Sequence, residues 1–354
     1  MAGSTQHSKI RIDLFSDTKT RPSPAMIQAM SQAEVGDEQA LEDPTTLALE
    51  NRAAALLGKE AALFLPSGTL CNQIAIQIHC RPGDAVLADK TSHIIGFEGG
   101  GAGATAGANI LPLDGDRGVY TVDQACAALP APGNRYAPRV TLLEVEQTAN
   151  LGGGTVWAVD RIDALGELAQ ERGLALHIDG ARLMNAVAAT NVSAARFARA
   201  ADSVWLDLSK GLGCPVGAVL AGSKDFIAEA WRIKQRMGGA LRQSGYLAAA
   251  GLYAFDNNLD RLADDNANAK LFADGIADLP GIDLDPATVQ TNIVLFHVTE
   301  AAKMNAVALA GELMEQGIRI GAFGPTMMRA VTHLDVTRAG VEDAVAAMRA
   351  ALSK

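Results

Sequence analysis

Short apolar runs alternate with longer helical patterns through the middle of the chain, and this alternation limits the folds open to it. The runs are bounded by Gly, Pro, Asp or Ser and lie at Ala61–Leu65, Ala85–Ala88, Val140–Leu143, Leu174–Ile178, Val204–Leu206 and Ala218–Ala221. Between them, apolar residues recur at spacings of three and four, at Asn72–His79, Val159–Glu171 and Phe226–Met237. Short strands separated by helices predict an α/β fold with a mostly parallel sheet covered by helices on both faces.

The chain is long enough for a second, smaller domain. At about 150 residues per domain, 354 residues suggest two domains. Beyond about Phe255 a long polar helical pattern at Arg261–Leu279 is followed by short strands and helices, at Ile293–His297, Met304–Gln316, Met327–Thr332 and Gly340–Leu352. We therefore predict an N-terminal arm at residues 1–15, a large domain at 16–255 and a small α/β C-terminal domain at 256–354.

Charge and hydropathy exclude several classes of protein. Thirty Lys and Arg residues stand against 40 Asp and Glu residues, a net charge of −10. Nucleic-acid binding is not expected, because there is no basic surplus to displace counterions from phosphates. No run approaches the roughly 18 uninterrupted apolar residues of a membrane helix. Residues 1–7 lack the apolar core of a signal peptide. These features predict a cytoplasmic protein that does not bind membranes.

The sequence contains none of the common metal-binding or nucleotide-binding motifs. The four cysteines include no C-x-x-C pair and the six histidines no H-x-x-H, so no metal site is predicted and the thiols are expected to be buried. The glycine-rich stretch Gly99–Gly107 contains no G-x-G-x-x-G, and neither a P-loop nor a G-x-S-x-G elbow occurs. Tight packing near a ligand or a subunit interface is the simpler explanation for these glycines.

Two residues at predicted strand ends indicate chemistry. Lys210 follows the strand Val204–Leu206, and a lysine in such a buried position has the lowered basicity that a Schiff-base lysine needs. Asp179 ends the strand Leu174–Ile178, where a carboxylate can keep the ring nitrogen of pyridoxal phosphate protonated. Each has a structural alternative: Lys210 could extend into solvent, and Asp179 could cap the following helix.

A small hydroxyl-bearing turn and a histidine lie after two further strands. Ser67, Gly68 and Thr69 stand between the strand Ala61–Leu65 and a predicted helix, an arrangement typical of a phosphate cradle, although a simple helix cap has the same residues. His93 follows Ala85–Ala88 and could stack on an aromatic ring, although a lone histidine is more often structural. Together the four features point to one site at the edge of the sheet.

Several segments of the chain, taken together, resemble the sequences of one known family. They are Asp13–Pro22, Val35–Asp37, Glu42–Thr45, Gly58–Ala62, Pro66–Thr69, His177–Arg182, Leu208–Gly213, Leu241–Gly245 and Val331–Val336. In these segments the chain resembles the L-threonine aldolases, which use pyridoxal 5'-phosphate and have the aspartate-aminotransferase-like fold called fold type I. The resemblance runs from Ile12 to about Leu352. It implies a seven-stranded type of sheet in the large domain.

The resemblance implies how the cofactor would be held. Lys210 would bind it as an internal aldimine, His93 would stack on its ring, and Asp179 would pair with the pyridine nitrogen. The phosphate would be bound by three residues of one turn, Ser67, Gly68 and Thr69.

The resemblance also implies how the substrate, a small amino acid, would be held. Ser16, Arg182 and Arg329 would bind its carboxylate, with Arg182 also near the phenolic oxygen of the cofactor. Arg242 would reach a phosphate across a subunit boundary, in a homodimer or homotetramer with active sites at the dimer interface. The catalytic base would be His93 or a water molecule, and the catalytic residues would be Lys210, His93 and Asp179.

The implied reaction is a retro-aldol cleavage of L-β-hydroxy-α-amino acids to glycine and an aldehyde. The chain departs from the usual family pattern at Ala40, Leu41 and Ala149, where tyrosine, glycine and histidine are common. Smaller, less polar side chains at positions 40 and 149 favour an aryl substrate such as L-phenylserine, although some relatives lack this histidine and still cleave threonine. The alternative reaction is that of a β-eliminating lyase or dehydratase acting on a hydroxy amino acid.

Overall fold

A seven-stranded sheet forms the centre of the computed structural model, which describes residues 10–353. The strands are β1 (Ile12–Asp13), β2 (Ala61–Leu65), β3 (Ala85–Asp89), β4 (Asn109–Leu113), β5 (Val140–Glu146), β6 (Ala175–Asp179), β7 (Ser203–Asp207), β8 (Ala218–Gly222), β9 (Ile282–Asp283), β10 (Ile293–Val298), β11 (Ile318–Arg319), β12 (Gly321–Ala322) and β13 (Met327–Val331). The central sheet has the order β2-β8-β7-β6-β5-β3-β4, and β8 is its one antiparallel strand. The predicted α/β fold with a mostly parallel sheet is confirmed.

Helices connect and cover the strands. They are α1 (Pro24–Ser31), α2 (Pro44–Leu57), α3 (Gly68–His79), α4 (His93–Gly96), α5 (Val122–Ala128), α6 (Val159–Arg172), α7 (Leu183–Thr190), α8 (Ala194–Ala198), α9 (Lys224–Arg236), α10 (Gly245–Asn257), α11 (Leu262–Ile276), α12 (Ala306–Glu315) and α13 (Arg338–Leu352). Local chemistry sets their ends. The Asp43 side chain accepts a hydrogen bond from Thr46 N just before Pro44 starts α2, and Gly58 ends that helix in the left-handed region.

The strand β4 was missed by the sequence analysis. It follows the glycine-rich stretch and contains Pro112, a residue that cannot donate a ladder hydrogen bond and therefore weakens a strand pattern. β4 lies at the edge of the sheet, paired only with β3, where proline is tolerated. The six predicted strand runs all fall on observed strands, with ends that differ by three residues or fewer.

A second, smaller sheet has its own hydrophobic core. Its strands have the antiparallel order β12-β13-β10-β9, and α11, α12 and α13 contribute to the core. The short strand β1 pairs in parallel with β11, so Ile12 and Leu14 pack into this smaller core. The division at residues 15 and 255 remains a prediction, and α10 runs across its second boundary. Residues 1–9 of the predicted arm and Lys354 lie outside the described residues.

Across residues 10–353, no helix combines the length and the apolar character that a membrane crossing demands.

Candidate active site

The predicted site residues gather at one edge of the central sheet. β6 ends at Asp179, and β7 leads within three residues to Lys210. β3 leads to His93, and β2 leads to Ser67. Because these four strands run in the same direction, their carboxyl ends face the same crevice, which is where open α/β sheets bind ligands.

Lys210 lies in the turn after β7 and contacts a neighbouring carboxylate. Its Nζ is 2.6 Å from Oδ2 of Asp207 and 5.6 Å from the centre of the Trp205 ring. Only 16% of the lysine side chain is exposed. The structure therefore does not support the alternative that this lysine extends into solvent.

Asp179 is a buried carboxylate with two neutral donors. Nδ2 of Asn72 donates to Oδ2 at 2.8 Å, and the backbone N–H of Ala181 donates to Oδ1 at 3.0 Å. Burial raises the pKa of Asp179, although the hydrogen bond from Asn72 and the positive charge of Lys210 oppose this shift. The following helix begins at Leu183 with Arg182 as its cap, so Asp179 does not act as the helix cap.

Ser67, Gly68 and Thr69 form the start of α3. The hydroxyl of Ser67 caps the helix by accepting a hydrogen bond from Leu70 N, as the structural alternative held. The first backbone N–H groups of a helix have no partner within it and can bind an anion, so capping and phosphate binding are compatible here. A Cβ on Gly68 would lie 2.1 Å from the Trp205 ring, so this glycine is required by packing as well.

His93 is oriented by a buried glutamate. Its Nδ1 lies 2.9 Å from Oε1 of Glu98, and its ring stacks on Phe97 with 5.4 Å between centroids. Burial acts to lower the pKa of His93, but the hydrogen bond to Glu98 and the charge of Asp179 hold it above its usual value. With Nδ1 engaged by Glu98, Nε2 is the ring nitrogen left to face a ligand.

His93 and two nearby carboxylates have the spacing of possible metal ligands. His93, Glu98 and Asp179 each place one possible ligand atom within 4.8 Å of the others. However, Glu98 accepts hydrogen bonds from the amides of Asn72 and Gln73, at 2.8 and 2.6 Å. These donors account for the buried carboxylate without a metal ion, and the expectation of no metal site stays a prediction.

Arg182 is buried and paired with Asp17. Its Nε and Nη2 donate to the two carboxylate oxygens of Asp17 at 2.6 and 2.7 Å. Burial would raise the pKa of Asp17, but Arg182 holds it well below its usual range. Ser16 is buried beside this pair and accepts a hydrogen bond from Thr18 N. Since Asp17 takes the paired edge of Arg182, Nη1 is the nitrogen that remains for a cofactor or substrate.

One N–H donor of Arg329 is left without a hydrogen-bond partner among the described residues. Its Nη1 donates to Oδ1 of Asn150 at 2.7 Å, and its guanidinium lies 4.7 Å from the centre of the Phe323 ring. Its Nε is buried and has no hydrogen-bond partner among the described residues. Burial, with the nearby charge of Arg182, lowers the pKa of Arg329 to about 10. An unpartnered cationic N–H of this kind fits a carboxylate ligand.

Arg242 is placed apart from the buried residues of the site. Its side chain is 62% exposed and its Nη1 donates to Oδ2 of Asp37 at 2.9 Å. Among residues 10–353, it makes no hydrogen bond or ion pair with Ser67, Gly68 or Thr69. Its role across a subunit boundary stays a prediction.

The sequence analysis missed several polar residues of the site. They are Asp17, Asn72, Glu98, Asp207 and also Glu146, whose Oε2 accepts a hydrogen bond from His93 N at 2.6 Å. Two of them had a local signal: Asp207 is the last residue of the strand before Lys210, and Asn72 lies one helical turn after Gly68 on the same face of α3. The others show their function only through contacts made across the fold.

The residues present fit pyridoxal phosphate. Asp179 offers a buried carboxylate to a ring nitrogen, Lys210 offers an amine, and Ser67 begins a helix whose N-terminus suits a phosphate. Arg329 adds a cationic N–H that is buried and has no hydrogen-bond partner among the described residues.

Comparison with known proteins gives the family. Residues 13–299 match the model of the family described as Beta-eliminating lyase. Low-specificity L-threonine aldolase 1 of Arabidopsis thaliana is 39% identical over 334 residues, which cover 93% of each chain. The low specificity L-threonine aldolase of Escherichia coli K12 is 40% identical over 344 residues, covering 97% of this chain and 100% of that one.

A solved structure agrees with the fold. The threonine aldolase of Leishmania major is similar with a TM-score of 0.82 at 21% identity, over 96% of this chain and 99% of that one. The relatives of 39% and 40% identity show that the chain belongs to the L-threonine aldolase family, whose members have fold type I and use pyridoxal phosphate.

Proposed function

We propose that the protein cleaves L-β-hydroxy-α-amino acids of the threonine and allo-threonine type to glycine and an aldehyde. The observation that carries this proposal is the placement of Lys210 and Asp179 after neighbouring strands, together with the buried Nε of Arg329, which has no hydrogen-bond partner among the described residues. The relatives named low-specificity L-threonine aldolases support the same reaction.

Each of the cofactor-facing residues has one task in this proposal. Bound pyridoxal phosphate supplies an electron sink for the bond that breaks between Cα and Cβ. Asp179 holds a proton on the ring nitrogen, and its contact with Asn72 keeps the carboxylate pointing in one direction. Lys210 carries the cofactor through its amine, and the first turn of α3 binds the phosphate at Ser67.

The remaining residues bind and orient the substrate. Arg329 binds the carboxylate through Nε, while Ser16 and Nη1 of Arg182 complete the contacts. Such a clamp fixes which bond at Cα stands perpendicular to the cofactor ring, and this selects the bond that breaks. The base that accepts the β-hydroxyl proton is His93 or a water molecule; because the pKa of His93 is raised, the histidine can accept the proton at Nε2 only in its neutral form.

We extend the proposal to an aryl preference, as in L-phenylserine. The support for this preference is that alanine, a small residue, stands at positions 40 and 149. Ala40 is exposed, but the methyl group of Ala149 is buried against Gly118, where an added Cβ would lie only 2.5 Å away. Because the Ala149 methyl group already has a close neighbour, the proposed larger pocket depends on the alanine at position 40. The ratio of kcat/KM for phenylserine and threonine tests this preference, and a clear threonine preference would contradict it.

We also propose that two copies complete the site. The exposed side chain of Arg242 can reach a neighbouring subunit without breaking a buried contact, since its partner Asp37 is itself one-third exposed. Light scattering of the purified protein gives the assembly size, and a monomer that retains full activity would contradict this arrangement.

Product identity tests the reaction itself. The protein, loaded with pyridoxal phosphate, is incubated separately with L-threonine and with racemic threo-phenylserine. We expect glycine and aldehyde in equal amounts, with none formed by the Lys210→Ala variant. An oxo acid and ammonia instead would assign the protein to the β-eliminating lyases, a reaction suggested by the description of the matching family model.

A further inference from the structure

A carboxylate that the family resemblance does not include is in contact with Lys210. Oδ2 of Asp207 lies 2.6 Å from Nζ of Lys210, within the range of a charge-assisted hydrogen bond. The two residues are three positions apart, one at the end of β7 and the other in the turn that follows. Only 6% of the Asp207 side chain is exposed, so water screens this pair weakly.

Ser209, two residues further along the chain, sets the orientation of Asp207. Its Oδ1 accepts hydrogen bonds from the backbone N–H and the hydroxyl of Ser209, at 2.7 and 2.8 Å. This leaves Oδ2 for the lysine. The turn is itself held in place, because Leu208 N donates to Gly217 O and Gly213 N donates to Lys210 O.

Other charged and titratable groups also act on this pair, but over longer range. Asp17 and Asp179 attract Lys210, while Arg182, Cys71 and Cys214 interact with Asp207. The two other carboxylates already have close partners, in Arg182 for Asp17 and Asn72 for Asp179. Asp207 is the carboxylate that contacts the lysine.

We propose that Asp207 is a positioning residue for Lys210: its carboxylate holds the lysine nitrogen at the crevice edge and is the contacting counter-charge when that nitrogen is positively charged. The proposal rests on the proposed function in one respect, that Lys210 carries the cofactor. Whenever the lysine is released during turnover, Asp207 gives the free ammonium a fixed place from which it can return. A neutral residue at position 207 would leave that buried charge without a contacting counter-charge.

The test is a pH titration of the visible absorbance band of the bound pyridoxal phosphate. A carboxylate beside a protonated nitrogen favours the protonated state of that nitrogen. Asp207→Asn should therefore lower the pH at the midpoint of this absorbance titration by about 1–3 units. Asparagine keeps Oδ1 as an acceptor for Ser209, which favours folding. Asp207→Ser is a second neutral variant, and Asp207→Glu keeps the charge and should stay within about half a unit of the parent.

Glu229→Gln is the matched control, because it removes a carboxylate from the exposed surface of α9. Its midpoint should equal that of the parent. Midpoints of the two neutral variants within about half a unit of the parent would overturn the proposal. So would a midpoint in Asp207→Glu that falls as far as in Asp207→Asn.

Borohydride reduction followed by peptide mass spectrometry distinguishes failure of the proposed function from failure of the proposed role of Asp207. Cofactor attached to a lysine other than Lys210 would contradict the proposed function. Cofactor on Lys210 with unmoved midpoints would contradict only the role of Asp207.

Discussion

Gly68→Ala is the substitution whose effect the structure defines most sharply. A Cβ at this position would lie 2.1 Å from Cη2 and 2.4 Å from Cζ3 of the Trp205 ring. The ring cannot stay in place, since carbon atoms in contact are normally 3.5–4.0 Å apart. The same ring donates through Nε1 to Oδ1 of Asn72 at 2.7 Å, and Asn72 in turn donates to Asp179. One added methyl group therefore disturbs a chain of contacts that ends at a cofactor ligand.

The expected cost has two parts. Overpacking in a buried region costs about 1–3 kcal/mol, and loss of the Trp205–Asn72 hydrogen bond costs about 1 kcal/mol more. Replacing glycine by alanine at the start of a helix returns at most about 1 kcal/mol. We expect a net loss of about 1–3 kcal/mol in the free energy of unfolding. The affinity for pyridoxal phosphate should fall at least about tenfold, because Asp179 loses its fixed orientation.

Urea unfolding of the cofactor-free protein, followed by circular dichroism, measures the first effect, and cofactor titration measures the second. Gly311→Ala is the matched control. Gly311 lies on the exposed side of α12, with no atom within 4 Å of an added Cβ, so the same change there should stabilise the protein by about 0.5–1 kcal/mol. A Gly68→Ala variant as stable as the parent, with unchanged cofactor affinity, would refute the reasoning.

Two further predictions concern stability. Leu41 is 60% exposed and has a left-handed backbone with φ of 59°. Leu41→Gly should therefore stabilise by about 1 kcal/mol in urea unfolding, as should Lys303→Gly at φ of 57°, whereas Leu41→Ala should give no gain. Burial raises the pKa of Glu50 from 4.5 to about 7, so its folded carboxyl costs stability progressively as pH rises from 4.5 to 7. Glu50→Gln, which keeps an acceptor for Phe64 N, should gain up to about 3 kcal/mol over the parent near pH 8 and almost nothing near pH 4. A pH-independent difference would contradict this assignment.

The elements that could be predicted from sequence are those with a strong local pattern. The buried strand at Ala61–Leu65 was located to the residue, because a short apolar run between turn residues has few other interpretations. β4 was missed because Pro112 and its edge position remove that pattern. The helix α3 begins at Gly68, earlier than the apolar spacing indicated, because its first two residues, Gly68 and Thr69, add nothing to that spacing.

The candidate site also combines contacts that the sequence predicts with contacts that it does not predict. Lys210 and Asp179 were expected to meet because strand ends in a parallel sheet share an edge, a rule that needs no atomic detail. The pairing of Arg182 with Asp17 joins residues 165 positions apart, and no local pattern indicates it. That contact changes the interpretation of Arg182. The planar edge of its guanidinium, expected to bind the substrate carboxylate, already binds the carboxylate of Asp17.

The sequence by itself determined the alternating architecture, the residues at the strand ends and, through a specific set of segments, the family. These follow from short-range periodicity and from residue types, which need no knowledge of what lies across the fold. Only the tertiary structure decided how each polar group is satisfied. It brought Asp17 to Arg182, Asn72 to Asp179 and Trp205 against Gly68. The physical reason is that a buried charge must find its counter-charge or donor wherever packing places one, often far away in the sequence.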